Sequence, residues 1–335
     1  MSDAMKSLNV GVWGVGVWGE KHARVYATLE GASLAGIYDQ DAGRAEAIAS
    51  EYHTRAFATA AELLEACDAI SIAVPTVGHA GAVEQAAAAG VHALVEKPMA
   101  VTLAEADAMI RHVRAAGTVL QVGQVERFNP ALAAARPSIG RVRFVEAHRL
   151  ALFQPRSLDV DVVFDLMIHD IDIVLNAMGS LPTHISAVGV AVLSGNEDIA
   201  NARLEFAGGC VANLTASRVS QERLRRIRFF QDDSYLSIDL FEKKCDHLSL
   251  DRSLLTSATV HPLQLAAAIH KHTIEIAEAE PLRLELTAFL QSLRGEGDGA
   301  ASAQAGRDAL AVAEAVRADM KQRARQWATP QRAAS

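Results

Sequence analysis

Two residues in the middle of this chain could move a proton to or from a substrate hydroxyl. Asp165 and His169 are four positions apart, so they would share one face of a helix. A histidine titrates near neutral pH and could accept the hydroxyl proton, while the aspartate could orient it or hydrogen-bond the substrate. On spacing alone, the pair could equally be an exposed acid and base of little consequence.

A lysine in the first half of the chain could assist the same chemistry. Lys97 follows a predicted apolar strand, and Pro98 restricts it to an extended conformation. It would stand at the carboxyl edge of the sheet, where open α/β sheets bind ligands, and its ammonium could stabilise a developing alkoxide. The competing interpretation is a surface lysine in a turn.

A glycine pattern near the start predicts a cradle for a dinucleotide. Gly14 would permit a tight turn, Gly16 would let the backbone approach a pyrophosphate, and Gly19 would let a helix pack closely on the sheet. The pattern is weak alone, but here it joins a predicted strand to a predicted helix. Val17 and Trp18 are expected to contribute backbone N–H groups at the helix N-terminus.

An acidic residue at the end of the second predicted strand indicates which dinucleotide is bound. Asp39 lies twenty positions after Gly19. A carboxylate there can accept both ribose hydroxyls of NAD and would repel the 2′-phosphate of NADP. The predicted cofactor is therefore NAD.

These residues need a scaffold, and the first third of the chain predicts one. Short apolar strands alternate with helical patterns, which favours an α/β domain with a doubly wound parallel sheet. The predicted strands are 10–13, 33–38, 69–74, 93–95 and 119–122, with helices at 20–29, 42–52, 83–89 and 103–115.

The pattern changes after Gly123, where strands alternate apolar and polar residues. This alternation predicts an α+β domain with a large, mostly antiparallel open sheet, covered on one face by helices. The predicted strands are 142–150, 185–192, 201–206, 210–217 and 235–240, and the predicted helices are 165–178, 282–293 and 303–320. The predicted domains are residues 1–123 and 124–335.

Composition excludes several classes of function. The chain has 335 residues and a formal net charge of −8, with no basic run, so nucleic acid is not an expected partner. Arg223, Arg225, Arg226 and Arg228 are interpreted as part of a solvated strand or turn. No apolar run reaches membrane-spanning length, so no membrane partner is expected.

Three isolated cysteines, Cys67, Cys210 and Cys245, lack the spacing of a disulfide framework or a structural metal site. Free thiols in a reducing cytoplasm are expected, and no metal is predicted.

Several of these segments together resemble the Gfo/Idh/MocA family of nicotinamide-dependent sugar and polyol dehydrogenases. The resemblance rests on Gly14 to Gly19, Val74-Pro75-Thr76 with His79, Val95-Glu96-Lys97-Pro98, and Asp165 with His169. It implies a Rossmann domain, a catalytic set of Lys97, Asp165 and His169, and a homodimer or homotetramer formed through the exposed sheet face. The implied cofactor contacts are Gly14, Gly16, Val17, Trp18, Gly19, Asp39, Thr76, His79, Glu96, Lys97 and Gln124.

Two further stretches, 123–130 and 156–172, resemble family members that oxidise the 3-hydroxyl of a UDP-sugar. This implies a small-molecule UDP-sugar substrate whose keto product is aminated to 3-amino sugars of the lipid A type. Gln124 is a departure, because the resemblance leads us to expect histidine there. The candidate substrate contacts are Arg127, Phe128, Asn129, Arg149, Arg156 and His169. The alternatives are a dehydrogenase of a free sugar or cyclitol, a non-catalytic NAD-sensing protein, and a scaffold.

Overall fold

The computed structural model describes residues 7–154, 160–254, 266–296 and 302–328. The chain divides into two compact units, and each contains two separate stretches of sequence. The first unit comprises 1–128 and 279–310, and the second comprises 129–278 and 311–335. The division into domains 1–123 and 124–335 that the sequence indicates stays a prediction.

The first unit is built on a five-stranded parallel sheet, as the sequence predicts. Its strands are β1 Leu8–Trp13, β2 Ala32–Tyr38, β3 Ala69–Ile72, β4 His92–Glu96 and β5 Leu120–Gly123, in the order β2-β1-β3-β4-β5. Every residue of β3 and β5 is buried. This burial explains why both sequences are mostly apolar, because helices cover both faces of a parallel sheet.

Five helices connect these strands: α1 Val17–Tyr26, α2 Ala42–Glu51, α3 Ala60–Glu65, α4 His79–Ala88 and α5 Leu103–Ala116. Local sequence fixes the ends of α5. Thr102 and Glu105 form a reciprocal capping box, and Gly117 ends the helix with φ of +68°. The short helix α3 was not predicted, although Thr59 caps it with the same chemistry.

The second unit contains an eight-stranded sheet with one parallel pair, β6 with β9. The order is β13-β12-β11-β10-β6-β9-β8-β7, which confirms the predicted mostly antiparallel sheet. The strands are β6 Val142–Leu150, β7 His184–Val190, β8 Ile199–Glu205, β9 Val211–Ser217, β10 Leu224–Gln231, β11 Ser234–Asp239, β12 Lys244–Leu250 and β13 Ile269–Ile274. The predicted strands did not include β10, β12 or β13, although a solvated strand or turn was one interpretation of the arginines of β10. This unit also contains α6 Pro130–Ala135 and α7 Ile168–Met178.

Two C-terminal helices follow, α8 Pro281–Leu293 and α9 Ala303–Ala328. The prediction that α8 covers the antiparallel sheet is wrong. Its residues Leu282, Leu286, Phe289 and Leu290 pack in the first unit's core, beside Val25 and Tyr26 of α1. An apolar stripe at helical spacing shows that a helix is buried but not which sheet buries it. None of the described helices combines the length and apolar character of a membrane span.

Candidate active site

The loop after β1 has the backbone that a phosphate cradle requires. Gly14 has φ of +87°, which a side chain would disfavour. A Cβ on Gly19 would lie 1.8 Å from the Gly14 carbonyl oxygen, so glycine at 19 lets α1 approach the end of β1. Gly16 precedes α1, and no described atom lies within 4 Å of where its Cβ would stand. The first N–H groups of a helix have no partner within that helix, and the space beside Gly16 would let a ligand approach the start of α1, so the loop fits the pyrophosphate of a dinucleotide.

The side chains that follow Gly16 are exposed. Val17 is 68% exposed and Trp18 is 41% exposed, and the ammonium of Lys21 lies 4.3 Å from the centroid of the Trp18 ring. Neither side chain is part of the core. Their predicted contribution through backbone N–H groups stays a prediction.

Asp39 holds the end of β2 against the glycine loop. Its Oδ2 accepts a hydrogen bond from the Val15 N–H at 2.7 Å, and its Oδ1 accepts one from the Asp41 N–H at 2.9 Å. Nη1 of Arg44 lies 3.9 Å from Oδ2. The carboxylate is thus fixed beside the loop, at the position where the ribose of a dinucleotide is recognised in this type of sheet.

His79 lies at the start of α4 and is buried between two backbone carbonyls. Its Nε2 is 2.9 Å from the Val74 oxygen and its Nδ1 is 3.0 Å from the Pro98 oxygen. Burial lowers the pKa of His79, and the two carbonyls act in the opposite direction. The ring therefore connects the end of β3 to the segment that carries Lys97. Thr76 is half-buried in the turn Thr76–Gly78 just before it.

Glu96 belongs to a buried chain of hydrogen bonds that the sequence analysis did not identify. His22 Nε2 is 3.0 Å from Glu96 Oε1, His22 Nδ1 is 3.0 Å from Ser71 Oγ, and Tyr26 Oη is 3.0 Å from the same Ser71 oxygen. Burial raises the pKa of Tyr26, which keeps its hydroxyl a donor. Because an ionised carboxylate only accepts, the set is satisfied when Tyr26 donates to Ser71, Ser71 to Nδ1, and Nε2–H to Glu96.

The same glutamate contacts the backbone of the candidate catalytic lysine. Glu96 Oε2 accepts a hydrogen bond from the Lys97 N–H at 3.2 Å. Lys97 is half-buried just beyond the carboxyl end of β4. Gln124, just beyond β5, is 2% exposed, and its Oε1 has no hydrogen-bond partner among the residues that the structure describes. Glu96 is thus engaged inside the unit, whereas the amide oxygen of Gln124 is engaged by no described residue.

The predicted substrate contacts after β5 differ in their surroundings. Arg127 and Phe128 are half-buried in the turn Val125–Phe128. Asn129, which begins the second unit, is buried and caps α6, because its Oδ1 accepts from the Ala131 N–H at 3.0 Å. Its Nδ2 donates to the Leu240 oxygen at 3.0 Å. Arg156 lies outside the described residues.

In the second unit, Asp165 stands in a π-helical turn rather than in the regular helix that was predicted. The turn spans Val163–Met167 and runs directly into α7, which carries His169. Asp161 begins it, since its Oδ1 accepts from the Val163 and Phe164 N–H groups at 3.0 and 3.2 Å. Burial raises the pKa of Asp161, against the effect of these bonds. Asp165 and His169 are both half-buried, and π turns inside helices are frequent at functional sites.

Asp170, the residue after His169, is buried rather than exposed to solvent. Asp170 is 4% exposed and forms a bidentate pair with Arg149, with Nε–Oδ2 at 3.0 Å and Nη2–Oδ1 at 2.8 Å. Arg149, one of the candidate substrate contacts, is itself 2% exposed. Its fork is committed to a buried carboxylate, and the pair joins α7 to β6.

Asp165 also lines a cleft at one end of the central strands of the eight-stranded sheet. The cleft lies where β6, β9 and β11 end and β10 begins, and its other lining residues include Arg218, Arg223, Arg225 and Phe241. The sequence alone indicates a solvated strand or turn for Arg223 and Arg225, whereas the structure places both in the lining of the cleft. Arg223 and Arg225 lie 58 and 60 positions after Asp165 in the sequence. The pairing of β10 with β6 is what brings them to the cleft that Asp165 lines.

The model of an oxidoreductase family with an NAD-binding Rossmann fold matches residues 8–124. The model of a Gfo/Idh/MocA C-terminal domain matches residues 133–236. Together these matches cover well over half of the chain.

Comparison with individual proteins gives the same family of oxidoreductases. The chain is 38% identical over 314 residues to UDP-N-acetylglucosamine 3-dehydrogenase of Acidithiobacillus ferrooxidans, which covers 93% of this chain and 97% of the relative. A solved structure of the same enzyme superimposes with a TM-score of 0.87 at 37% identity, over 95% of this chain and 99% of that one. The chain is also 31% identical over 228 residues to scyllo-inositol 2-dehydrogenase (NAD(+)) of Bacillus subtilis, which covers 62% of this chain and 67% of the relative.

Proposed function

Because the chain belongs to the Gfo/Idh/MocA family of NAD-binding oxidoreductases, we propose that it oxidises the 3-hydroxyl of UDP-N-acetylglucosamine to the 3-keto sugar. The observation that carries this proposal is the 38% identity to a UDP-N-acetylglucosamine 3-dehydrogenase across nearly the whole of both chains. The keto product would then be aminated, leading to 3-amino sugars of the lipid A type.

The cofactor is NAD, which supplies the carbon that accepts the hydride when it is bound. This chain's part is to hold the dinucleotide, and the open N-terminus of α1 behind Gly16 supports this role. In the proposal, Asp39 receives the ribose hydroxyls. The unpartnered oxygen of Gln124 is a further acceptor in the same unit.

We assign the proton chemistry to Lys97, Asp165 and His169. In this assignment His169 accepts the proton of the 3-hydroxyl, Lys97 stabilises the developing alkoxide, and Asp165 orients one or both. Either Lys97 or His169 can be the terminal base. Lys97 stands at the carboxyl end of β4, and Asp165 lines a cleft, which supports both assignments.

The proposed substrate contacts differ in how accessible their side chains are. Arg127 and Phe128 are accessible in part, whereas the amide of Asn129 already makes two hydrogen bonds. We therefore favour Arg127 and Phe128 over Asn129 as direct contacts with the sugar. Arg156 and His169 complete the proposed set.

A free sugar or cyclitol is the second candidate substrate, and the identity to an inositol dehydrogenase favours it. A protein that senses NAD without turnover is the alternative of another class. Its expected signature is NAD binding with no turnover of any sugar.

We also propose that the chain forms a homodimer or homotetramer through the face of the eight-stranded sheet that α7 does not cover. Phe144, Phe230 and Tyr235 form a half-buried aromatic cluster on that face, with ring centroids 5.5 and 4.8 Å apart. Clusters of this kind are enriched at interfaces. A cytoplasmic location would suit the three free cysteines.

The test is a product assay with purified protein, NAD and a panel of UDP-N-acetylglucosamine, N-acetylglucosamine and myo-inositol. A ketone trap or a partner aminotransferase removes the keto sugar, because the equilibrium can oppose oxidation. NADH formation together with the trapped adduct, or the 3-amino product, of a UDP-sugar ketone two hydrogens lighter than the substrate supports the proposal. Turnover restricted to a free sugar or inositol would assign the second candidate instead.

A further inference from the structure

We propose that Arg223 and Arg225 form an anion subsite that binds the diphosphate of the nucleotide sugar, with Phe241 beside the uracil. This inference rests on the proposed function, which it deepens by naming where the non-reacting part of the substrate lies. It places the nucleotide in the cleft that Asp165 also lines.

The geometry of β10 directs one of these arginines toward Asp165. Arg225 lies opposite Arg149 in the register of β10 and β6. Residues directly opposite each other, and residues two apart along a strand, share a sheet face. Ile227 and Phe229 are both buried, so Arg225 extends from the buried face, the one on which Arg149 reaches α7.

A third arginine of the cleft, Arg218, is engaged by the protein itself. All three guanidinium nitrogens of Arg218 are engaged, by Asp198 Oδ1 at 2.9 Å, the Val160 oxygen at 2.7 Å and Ser194 Oγ at 3.0 Å. Burial alone would raise the pKa of Asp198, but its bonds from Ser194, Leu193 and Arg218 hold that pKa well below its usual range. The Arg218–Asp198 pair is therefore a fixed wall of the cleft rather than a site for a ligand.

Arg223 is exposed and sits just before β10. No carboxylate of the described chain lies within ion-pair distance of its guanidinium, whereas Arg226 and Arg228 on the same strand pair with Asp239 and Glu146. A positive cleft of this kind stands out in a chain of net charge −8. An arginine fork matches the geometry of a phosphate and binds it bidentately.

The chemistry of the substrate requires such a site near the reacting atoms. In a UDP-sugar the diphosphate is attached to the same pyranose ring that carries the 3-hydroxyl. Residues that handle the hydroxyl proton and residues that hold the phosphates must therefore be about one sugar ring apart. Asp165 and the two arginines line one cleft, which is the arrangement that this requirement favours.

An aromatic side chain lines the same cleft as the two arginines. Phe241 follows β11, lines the cleft and is 47% exposed. An exposed aromatic face is suited to stack on a nucleobase. A free sugar or cyclitol has neither phosphates nor a base, so this subsite would select nucleotide sugars over both.

The experiment is calorimetric titration of the full chain with UDP, for wild type, Arg223→Gln, Arg225→Gln and the double variant. Each single change should raise the Kd for UDP at least about tenfold, and the double change more, with the Kd for NADH unchanged. With UDP-N-acetylglucosamine, KM should rise while kcat changes by less than about threefold, because the lost contact is equally strong in the ground and transition states. Phe241→Ala should weaken UDP binding but not pyrophosphate binding.

Arg143→Gln is the matched control, because Arg143 is an exposed arginine near the opposite end of β6 that pairs with Asp232. It should leave the Kd for UDP and the KM unchanged. Arg223→Lys should retain part of the affinity, since the charge remains but the fork is lost. This variant also tests the subsite if the double variant does not fold.

The outcomes separate the subsite from the proposed function. If wild type oxidises UDP-N-acetylglucosamine but the arginine variants keep its KM and the Kd for UDP, the subsite is overturned and the function stands. If wild type binds UDP through these arginines without oxidising the sugar, the subsite stands and the function falls. If wild type neither binds UDP nor oxidises the sugar, both are overturned.

Discussion

His22 Nε2 lies 3.0 Å from Glu96 Oε1, and this buried contact joins the helix behind the glycine loop to the strand that ends at Lys97. His22 is fully buried. Since Glu96 also accepts from the Lys97 N–H, the histidine fixes the position of the lysine through one carboxylate. His22 is therefore a positioning residue rather than a catalytic one.

Replacing His22 with leucine should lower the free energy of unfolding by about 1–3 kcal/mol, because it leaves a buried carboxylate short of a donor. Tyr26→Phe is the graded control, since it removes only the far end of the hydrogen-bond chain and should cost about 0.5–1.5 kcal/mol. Denaturant unfolding measures both. Equal losses for the two variants would show that the His22–Glu96 contact is not the important member of the chain.

Gly19→Ala should damage both the fold and cofactor binding, because the new Cβ would lie 1.8 Å from the Gly14 oxygen. Overpacking of this kind costs about 1–3 kcal/mol. Gly16→Ala should leave stability within about 0.5 kcal/mol yet weaken NAD binding, because its Cβ would enter open space at the head of α1.

Gly81→Ala, on an exposed position of α4 with no described atom within 4 Å, is the control for both variants: it should leave the NAD affinity unchanged and raise stability by at most about 1 kcal/mol, because alanine favours the helix. Thermal unfolding and NADH fluorescence titration provide the two readouts. Unaltered NAD affinity in Gly16→Ala would place the pyrophosphate elsewhere.

Asp39→Ala should raise the Kd for NAD and reduce the preference for NAD over NADP. The carboxylate that would repel a 2′-phosphate is removed, and Arg44 loses one of its two neighbouring carboxylates while it keeps Asp41. Asp41→Ser keeps the cap of α2 and should not change the preference. The measurement is the ratio of the two dissociation constants, and a ratio that does not move would refute the ribose assignment.

Lys97→Ala should reduce kcat by about a hundredfold or more if the ammonium assists proton transfer or stabilises the alkoxide. Lys321→Ala, which removes an exposed lysine of α9, should keep full activity. Single-turnover kinetics at saturating substrate separate the chemical step from binding. Full activity in Lys97→Ala would exclude the lysine from the mechanism.

The sequence predicted both sheets because strand periodicity and burial are local properties. It also predicted the glycine loop, since the tight backbone needs Gly14 and Gly19 whatever surrounds them. It could not assign α8 to its sheet, because the stripe Leu282–Leu286–Phe289 fits any apolar face. The sequence also could not reveal long-range partners, because the buried pairing of Asp170 with Arg149 depends on β6 and α7 meeting.

The sequence does contain one signal of the buried hydrogen-bond chain, namely polar side chains on the buried face of α1. His22 and Tyr26 are four positions apart on α1, and a paired polar position there indicates a buried partner. The role of the β10 arginines needed the sheet order, which sequence spacing does not reveal.

The central claim is hydride removal from C3 of UDP-N-acetylglucosamine, and an isotope label at that carbon tests it most directly. UDP-N-acetylglucosamine deuterated at C3 is incubated with the protein, NAD and a ketone trap, and the NADH formed is analysed by mass spectrometry. We expect the NADH to carry the deuterium and the trapped sugar to lack it. NADH without deuterium, or no NADH at all while the cofactor binds, would contradict the account.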